Sequence, residues 1–192
     1  MIRLIVMRKK SSYQYKAHPE RPDSFANNWK NNSQDDFILM EDGQPVFQCK
    51  CQSVANYCFG EMATADTVAH GDTVAPGEFS LRLFVPPRKF HGEIHGICRT
   101  KDLDGQWIGH DSMQTTKGGF QNGRWLVHDR FSFKTGADTN HAWSAGCFVL
   151  SSSDLELFNA ALRGLGFKAG DELPGLVIEM GECVLHSNNG KE

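Results

Sequence analysis

The sequence predicts a mainly β, α+β protein of one domain (1–192): a β-sandwich or barrel of short strands with one main helix at about residues 152–164. Three observations predict it. Short apolar runs at 2–7, 37–40, 46–49, 125–128, 148–150 and 175–180 are of strand type and are bounded by turn-forming or charged residues. The stretch 153–165 carries the three-and-four spacing of an amphipathic helix. A chain of 192 residues, 40% hydrophobic and 22% charged, has the size and composition of one soluble globular core.

Taken in order, residues 2–7 predict the first strand; the run is too short for a secretory hydrophobic region, and no small-residue cleavage site follows it. Arg8, Lys9 and Lys10 are expected at the solvated end of that strand. Residues 11–36, rich in Asn, Ser and Pro, predict a long excursion packed at Phe25 and Trp29. Two apolar runs flank Asp42-Gly43, a dipeptide suited to a tight reversal, and predict a β-hairpin. Residues 101–123 are polar and predict a lid or flap beside the site, anchored by Trp107 and Phe120, with His110 and Asp111 in reach of the pocket.

Further on, Ser153 and Glu156 have the spacing of a capping box, Leu155, Phe158, Ala161, Leu162 and Leu165 form one apolar face, and Gly164 and Gly166 end the helix. That helix is expected beneath the strand that follows Cys147. Residues 175–180 predict the last strand, ahead of a polar tail. A net charge of −3 gives nucleic acid or an anionic membrane no electrostatic purchase, and no run approaches a membrane span. Neither partner is expected.

Chemistry concentrates in residues 125–150. His128 ends an apolar strand-like run, and Cys147 sits in the small-residue turn Ser144-Ala145-Gly146-Cys147 that leads into a second one. A thiol needs a base, or another way of lowering its pKa, before much of it is thiolate at neutral pH, and histidine suits that task best. Ala145 and Gly146 would let backbone N–H groups approach a substrate carbonyl. Residue types alone leave two readings open, a nucleophile with its base or a buried structural cysteine beside a strand histidine.

Elsewhere, Cys49, Cys51 and Cys58 cluster, and His91 and His95 stand four apart around a glutamate. The cysteine spacing differs from that of common zinc ribbons and fingers, and six scattered cysteines without a secretory signal are expected to be reduced. Glycines and a Pro pair argue against a helical zinc motif at His91 and His95, and on a strand the two would lie about 13 Å apart. Both histidines are expected to border the groove; no metal and no cofactor is expected.

The order His128 then Cys147, with Ser144, Gly146, Cys147 and the apolar Phe148 in the pattern Ser-x-Gly-Cys-apolar, resembles the active-site signature of the L,D-transpeptidase catalytic domain. Ala145 stands where that family usually has a second histidine, Val149 where it has Arg or Asn, and Asp129 where a glycine often follows the first histidine. Residues 72–79 are similar to the family's Thr-Pro-x-Gly-x-Phe segment, and Asp154 with its helix to the family's Asp-x-x-x-Leu helix. The resemblance spans about residues 70–180, leaving 1–69 as an N-terminal β extension.

It implies an L,D-transpeptidase-like fold and acyl transfer on peptidoglycan stem peptides, by transpeptidation or carboxypeptidation. Cys147 would be the nucleophile and His128 the base. Ser144 and Asp129 would assist them, and Asp129 or a backbone carbonyl would orient the imidazole. The N–H groups of Ala145, Gly146 and Cys147 would hold the oxyanion; His95, His141 and Trp143 would contact substrate. Two alternatives stand beside this reading: an inactive binding or structural module of the same fold, and a zinc protein using His91, His95, Cys49, Cys51 and Cys58. The missing secretory signal points to the cytoplasm and the resemblance to the periplasm or cell wall, while oligomeric state stays open.

Overall fold

The computed structural model describes residues 1–14, 29, 34–55, 73–86, 93–102, 104–109, 112–116, 120–122, 125–132, 136–138, 144 and 146–181. Its elements are β1 (Ile2–Lys9), a short 3-10 helix (Lys10–Gln14), β2 (Asp35–Glu41), β3 (Gln44–Cys51), β4 (Gly77–Val85), β5 (Ile94–Thr100), β6 (Ser112–Gln114), β7 (Phe120–Asn122), β8 (Trp125–Asp129), β9 (Phe131–Ser132), β10 (Ala137–Asp138), β11 (Phe148–Leu150), α1 (Ser152–Gly164) and β12 (Glu172–Met180). The protein is β-rich with one main helix.

Among the described residues, ten strands form one sheet whose main path runs β11-β8-β5-β4-β12-β1-β2-β3, with β6 and β7 appended to β5. The two ends of that path meet. Gln52 and Val149 exchange both backbone hydrogen bonds, each 3.0 Å, so the sheet curls into a nearly closed barrel. The β2–β3 hairpin forms as predicted, with Asp42 and Gly43 both at positive φ (48° and 84°), the backbone that a two-residue type I′ turn requires.

Strand β1 extends two residues past its apolar run, and the alternation of the pleat then decides the fate of Arg8. It shares the inward face with Leu4 and Val6 and is fully buried, which corrects the expectation of a solvated strand end. The burial is tolerable because the charge is bonded. Arg8 Nε donates to Ser53 Oγ (2.8 Å), Nη2 donates to Ser53 O (3.0 Å), and Glu179 lies 3.6 Å away. Ser53 Oγ donates to buried Asp35, which also accepts from Ser12 Oγ and Lys9 N.

The helix occupies the predicted span, but its cap differs. Ser151, not Ser153, is the N-cap; its hydroxyl accepts from Asp154 N (3.1 Å) and donates to the Asp154 carboxylate (2.6 Å). Leu155, Phe158 and Leu162 point inward. Phe158 meets Phe37 of β2, Phe47 of β3 and His95 of β5 with ring centroids 5.0, 5.6 and 5.2 Å apart, so α1 packs across strands from separate parts of the curled sheet. The 101–123 region holds β6 and β7 where a loop was expected. Trp107 is 41% exposed under Arg99 and Lys101 instead of anchoring that region from within. No helix among the described residues is long and apolar enough to cross a membrane.

Candidate active site

Strand β8 carries His128 and the turn into β11 carries Cys147. The two strands are parallel neighbours, with Val149 opposite His128 and Phe148 opposite Val127. Paired residues of adjacent strands share a face, and the faces alternate along each strand. Val127 and Phe148 accordingly enter the core cluster, while His128 and Val149 take the other face. Cys147 lies one residue before β11 and packs, partly buried, against the core cluster. Among the four described cysteines Cys147 is the one that is not buried.

His128 is buried, with Nδ1 2.6 Å from the Asp129 backbone oxygen. A carbonyl only accepts, so Nδ1 carries the proton and Nε2 the lone pair, the tautomer of a general base. Burial holds the imidazole pKa down at about 4, against a smaller upward pull from that carbonyl, so the ring is neutral at pH 7. Of the two candidate orienting groups, the Asp129 main chain makes this contact. The Asp129 carboxylate accepts from Ser152 Oγ (2.9 Å) at the start of α1 and from Phe131 N (3.4 Å).

The turn before Cys147 is held by Ser144, whose hydroxyl accepts from Gly146 N (2.9 Å) and donates to Cys147 O (2.8 Å). Of the N–H groups assigned to an oxyanion, that of Gly146 therefore points at Ser144. Gly146 is at φ +133°, and a Cβ there would fall 1.5 Å from a ring carbon of Trp125. Only glycine lets the turn lie against the indole at the start of β8. Ala145, His141 and Trp143 lie outside the described residues, as do His91, Cys58, His110, Asp111 and Phe25. Trp29 is described, and it lies under the Arg130 guanidinium (4.9 Å) just past β8.

His95 was expected at the groove; it is instead fully buried in the core. Its Nδ1 accepts from Phe84 N (3.0 Å), which puts the ring proton on Nε2, and Nε2 donates to Asn159 Oδ1 (2.6 Å) from α1. Burial lowers its pKa to about 4, and with both nitrogens engaged it has no lone pair for a metal. Cys49 and Cys51 are buried on β3, where desolvation pushes both thiols well up, so they stay protonated at neutral pH. The zinc alternative is left without His95 as a ligand.

No protein-family model matches the chain. An uncharacterized protein of Treponema pallidum (strain Nichols) is 51% identical to it over 180 residues, which are 93% of this chain and 81% of that protein. The chain belongs to that protein's family. Among solved structures, an L,D-transpeptidase from Mycobacterium smegmatis shows a weak structural resemblance at a TM-score of 0.31 and 16% identity, over 92% of this chain. The chain spans 58% of that protein's length, and a likeness of this size bears on neither activity nor substrate.

Gln52 was missed by the sequence reading. It meets Val149 across the barrel closure on the face of His128. Nothing local marks it, because it follows the hairpin and its partner is distant in the chain.

Proposed function

We propose that the protein is a cysteine acyltransferase acting on peptidoglycan stem peptides, an L,D-transpeptidase or L,D-carboxypeptidase. The observation that carries this reading is the β8–β11 pairing. It makes the strand of His128, whose Nδ1 is tied to a carbonyl, the parallel neighbour of the strand entered from Cys147, and among the described cysteines Cys147 is the one that is not buried. The Ser-x-Gly-Cys resemblance supplies the substrate class.

In this mechanism Cys147 Sγ attacks the carbonyl that precedes a terminal D-amino acid, and its proton passes to His128 Nε2. Burial makes the resulting imidazolium a strong acid, so it hands that proton on to the leaving amine as the C–N bond breaks. A thioester remains. An acceptor amine or water then attacks it, giving up a proton through His128 to the departing thiolate. The oxyanion is held by the N–H groups of Cys147 and Ala145, while Ser144, occupied with Gly146, stiffens the turn. Asp129 positions His128 through its backbone, and His141 and Trp143 contact substrate. The chain is one domain, with 70–180 as the transpeptidase-like region and 1–69 as the extension.

A second reading, an inactive module of the same fold, is favoured by Val149, which is buried and apolar where the signature has a polar residue. One experiment separates the two: intact-protein mass spectrometry after incubation with a carbapenem, whose strained lactam opens on a nucleophile. A single adduct that requires Cys147 and forms more slowly in His128→Ala supports the enzyme. An unmodified protein with an intact fold rejects it.

A further inference from the structure

Gln52 is 1% exposed, and its side-chain carbonyl Oε1 is buried without a hydrogen-bond partner among the described residues. The orientation of that amide is fixed by its other end. Nε2 donates to Val54 O at 3.0 Å, and because a backbone carbonyl only accepts, the nitrogen must lie there and the oxygen must be the unpaired atom. A buried acceptor left unpaired is costly, which makes such an atom in a folded protein a place to look for a ligand.

Its position is what gives it meaning. Gln52 and Val149 form a hydrogen-bonded antiparallel pair, so their side chains share a face; Val149 is paired in turn with His128. Gln52, Val149 and His128 thus stand in one row across three neighbouring chain segments, with Cys147 two residues before Val149. The flanking residues Cys51, Phe148 and Val127 face the core instead. In the signature this chain resembles, the position of Val149 carries a polar side chain. Here the polar group on that row comes from the neighbouring segment.

We infer that Gln52 Oε1 is the hydrogen-bond acceptor for a backbone N–H of the acyl donor bound at Cys147. The inference rests on the acyl-transfer reading and adds a specificity-determining residue to it. It also states what the substrate must offer: a peptide N–H near the reacting carbonyl, which an ester analogue lacks.

The test uses the Cys147→Ala protein, so that binding is measured without turnover. The probes are a synthetic tetrapeptide ending in D-alanine and depsipeptide analogues in which one non-scissile N–H at a time is replaced by O. With Gln52 present, one analogue should bind about five- to tenfold more weakly than the peptide, the size of one net hydrogen bond. In Gln52→Met that difference should vanish. If Gln52→Met does not fold, the Gln52 side-chain amide signals in a nitrogen–proton spectrum replace it, shifting with the peptide and not with the discriminating analogue. Equal binding of every analogue, or a peptide-to-ester difference that persists in Gln52→Met, overturns the inference. Gln52-dependent binding without acylation of the wild-type thiol would keep the acceptor role and reject the acyl-transfer reading. No binding at all would reject both.

Discussion

Gly146 lies flat against the indole of Trp125, so close that a methyl on its Cα would sit 1.5 Å from a ring carbon. This contact sets the height of the Cys147 turn over β8. Gly146→Ala should therefore shift the turn or expel the indole. Overpacking of this kind costs about 1–3 kcal/mol, and the backbone at φ +133° adds to it. A lowered urea midpoint, partly restored by Trp125→Leu in the same chain, is the expected result; an unchanged midpoint would contradict the contact.

The acid limb of Cys147 acylation should lie near pH 4 rather than near 6.5. The base must be neutral to accept the thiol proton, and burial holds the His128 pKa at about 4, so activity is present above that value and lost as pH falls through it. Carbapenem acylation rates measured from pH 3.5 to 8 check this. A limb at 6.5 would mean that His128 is solvated in the working enzyme.

Stability should decline between about pH 6.5 and 4.5. His95 and His128 both have folded pKa values near 4 against 6.5 unfolded, so in this window the unfolded chain binds protons that the native state refuses. Their contribution is whole above 6.5 and shrinks as pH falls. The carboxylates of Glu78 and Glu172 are shifted down by their partners, Lys101 and Ser80 first, and lose their stabilisation at lower pH still. Urea midpoints across the window should fall, and His95→Gln should flatten part of the slope.

Asn159→Leu should destabilise the fold by about 1–3 kcal/mol, because it leaves the buried His95 Nε2–H and the Glu93 carbonyl without their partner. A slowly exchanging ring proton on His95 should be visible by NMR in the wild type and absent in the variant.

Ser151→Ala should cost about 1 kcal/mol, the worth of an N-cap, whereas Ser153→Ala should be nearly neutral. Thermal or urea denaturation of the two variants decides which serine caps α1. The sequence favours Ser153 because Glu156 completes a capping box with it. In the structure Asp154 serves that purpose for Ser151.

The amino-acid order by itself determined what depends on neighbours a few residues apart. It marked the hairpin at Asp42-Gly43, where the turn demands two positive φ values, and the helix, where Leu155, Phe158 and Leu162 recur at helical spacing. It also singled out a histidine strand and a cysteine turn as a candidate pair. What it could not determine depends on partners distant in the chain. His95 and His128 both stand on short strands, yet an N–H from Phe84 and an amide from α1 make His95 a core residue, whereas the Nδ1 of His128 is tied by a local carbonyl. Arg8 looked solvated because nothing near it announces Ser53 and Glu179. Gln52 looked like any hairpin-end glutamine. Its orphaned oxygen exists only because the sheet curls round and sets it beside Val149, and closure of a sheet is decided by the packing of all its strands together.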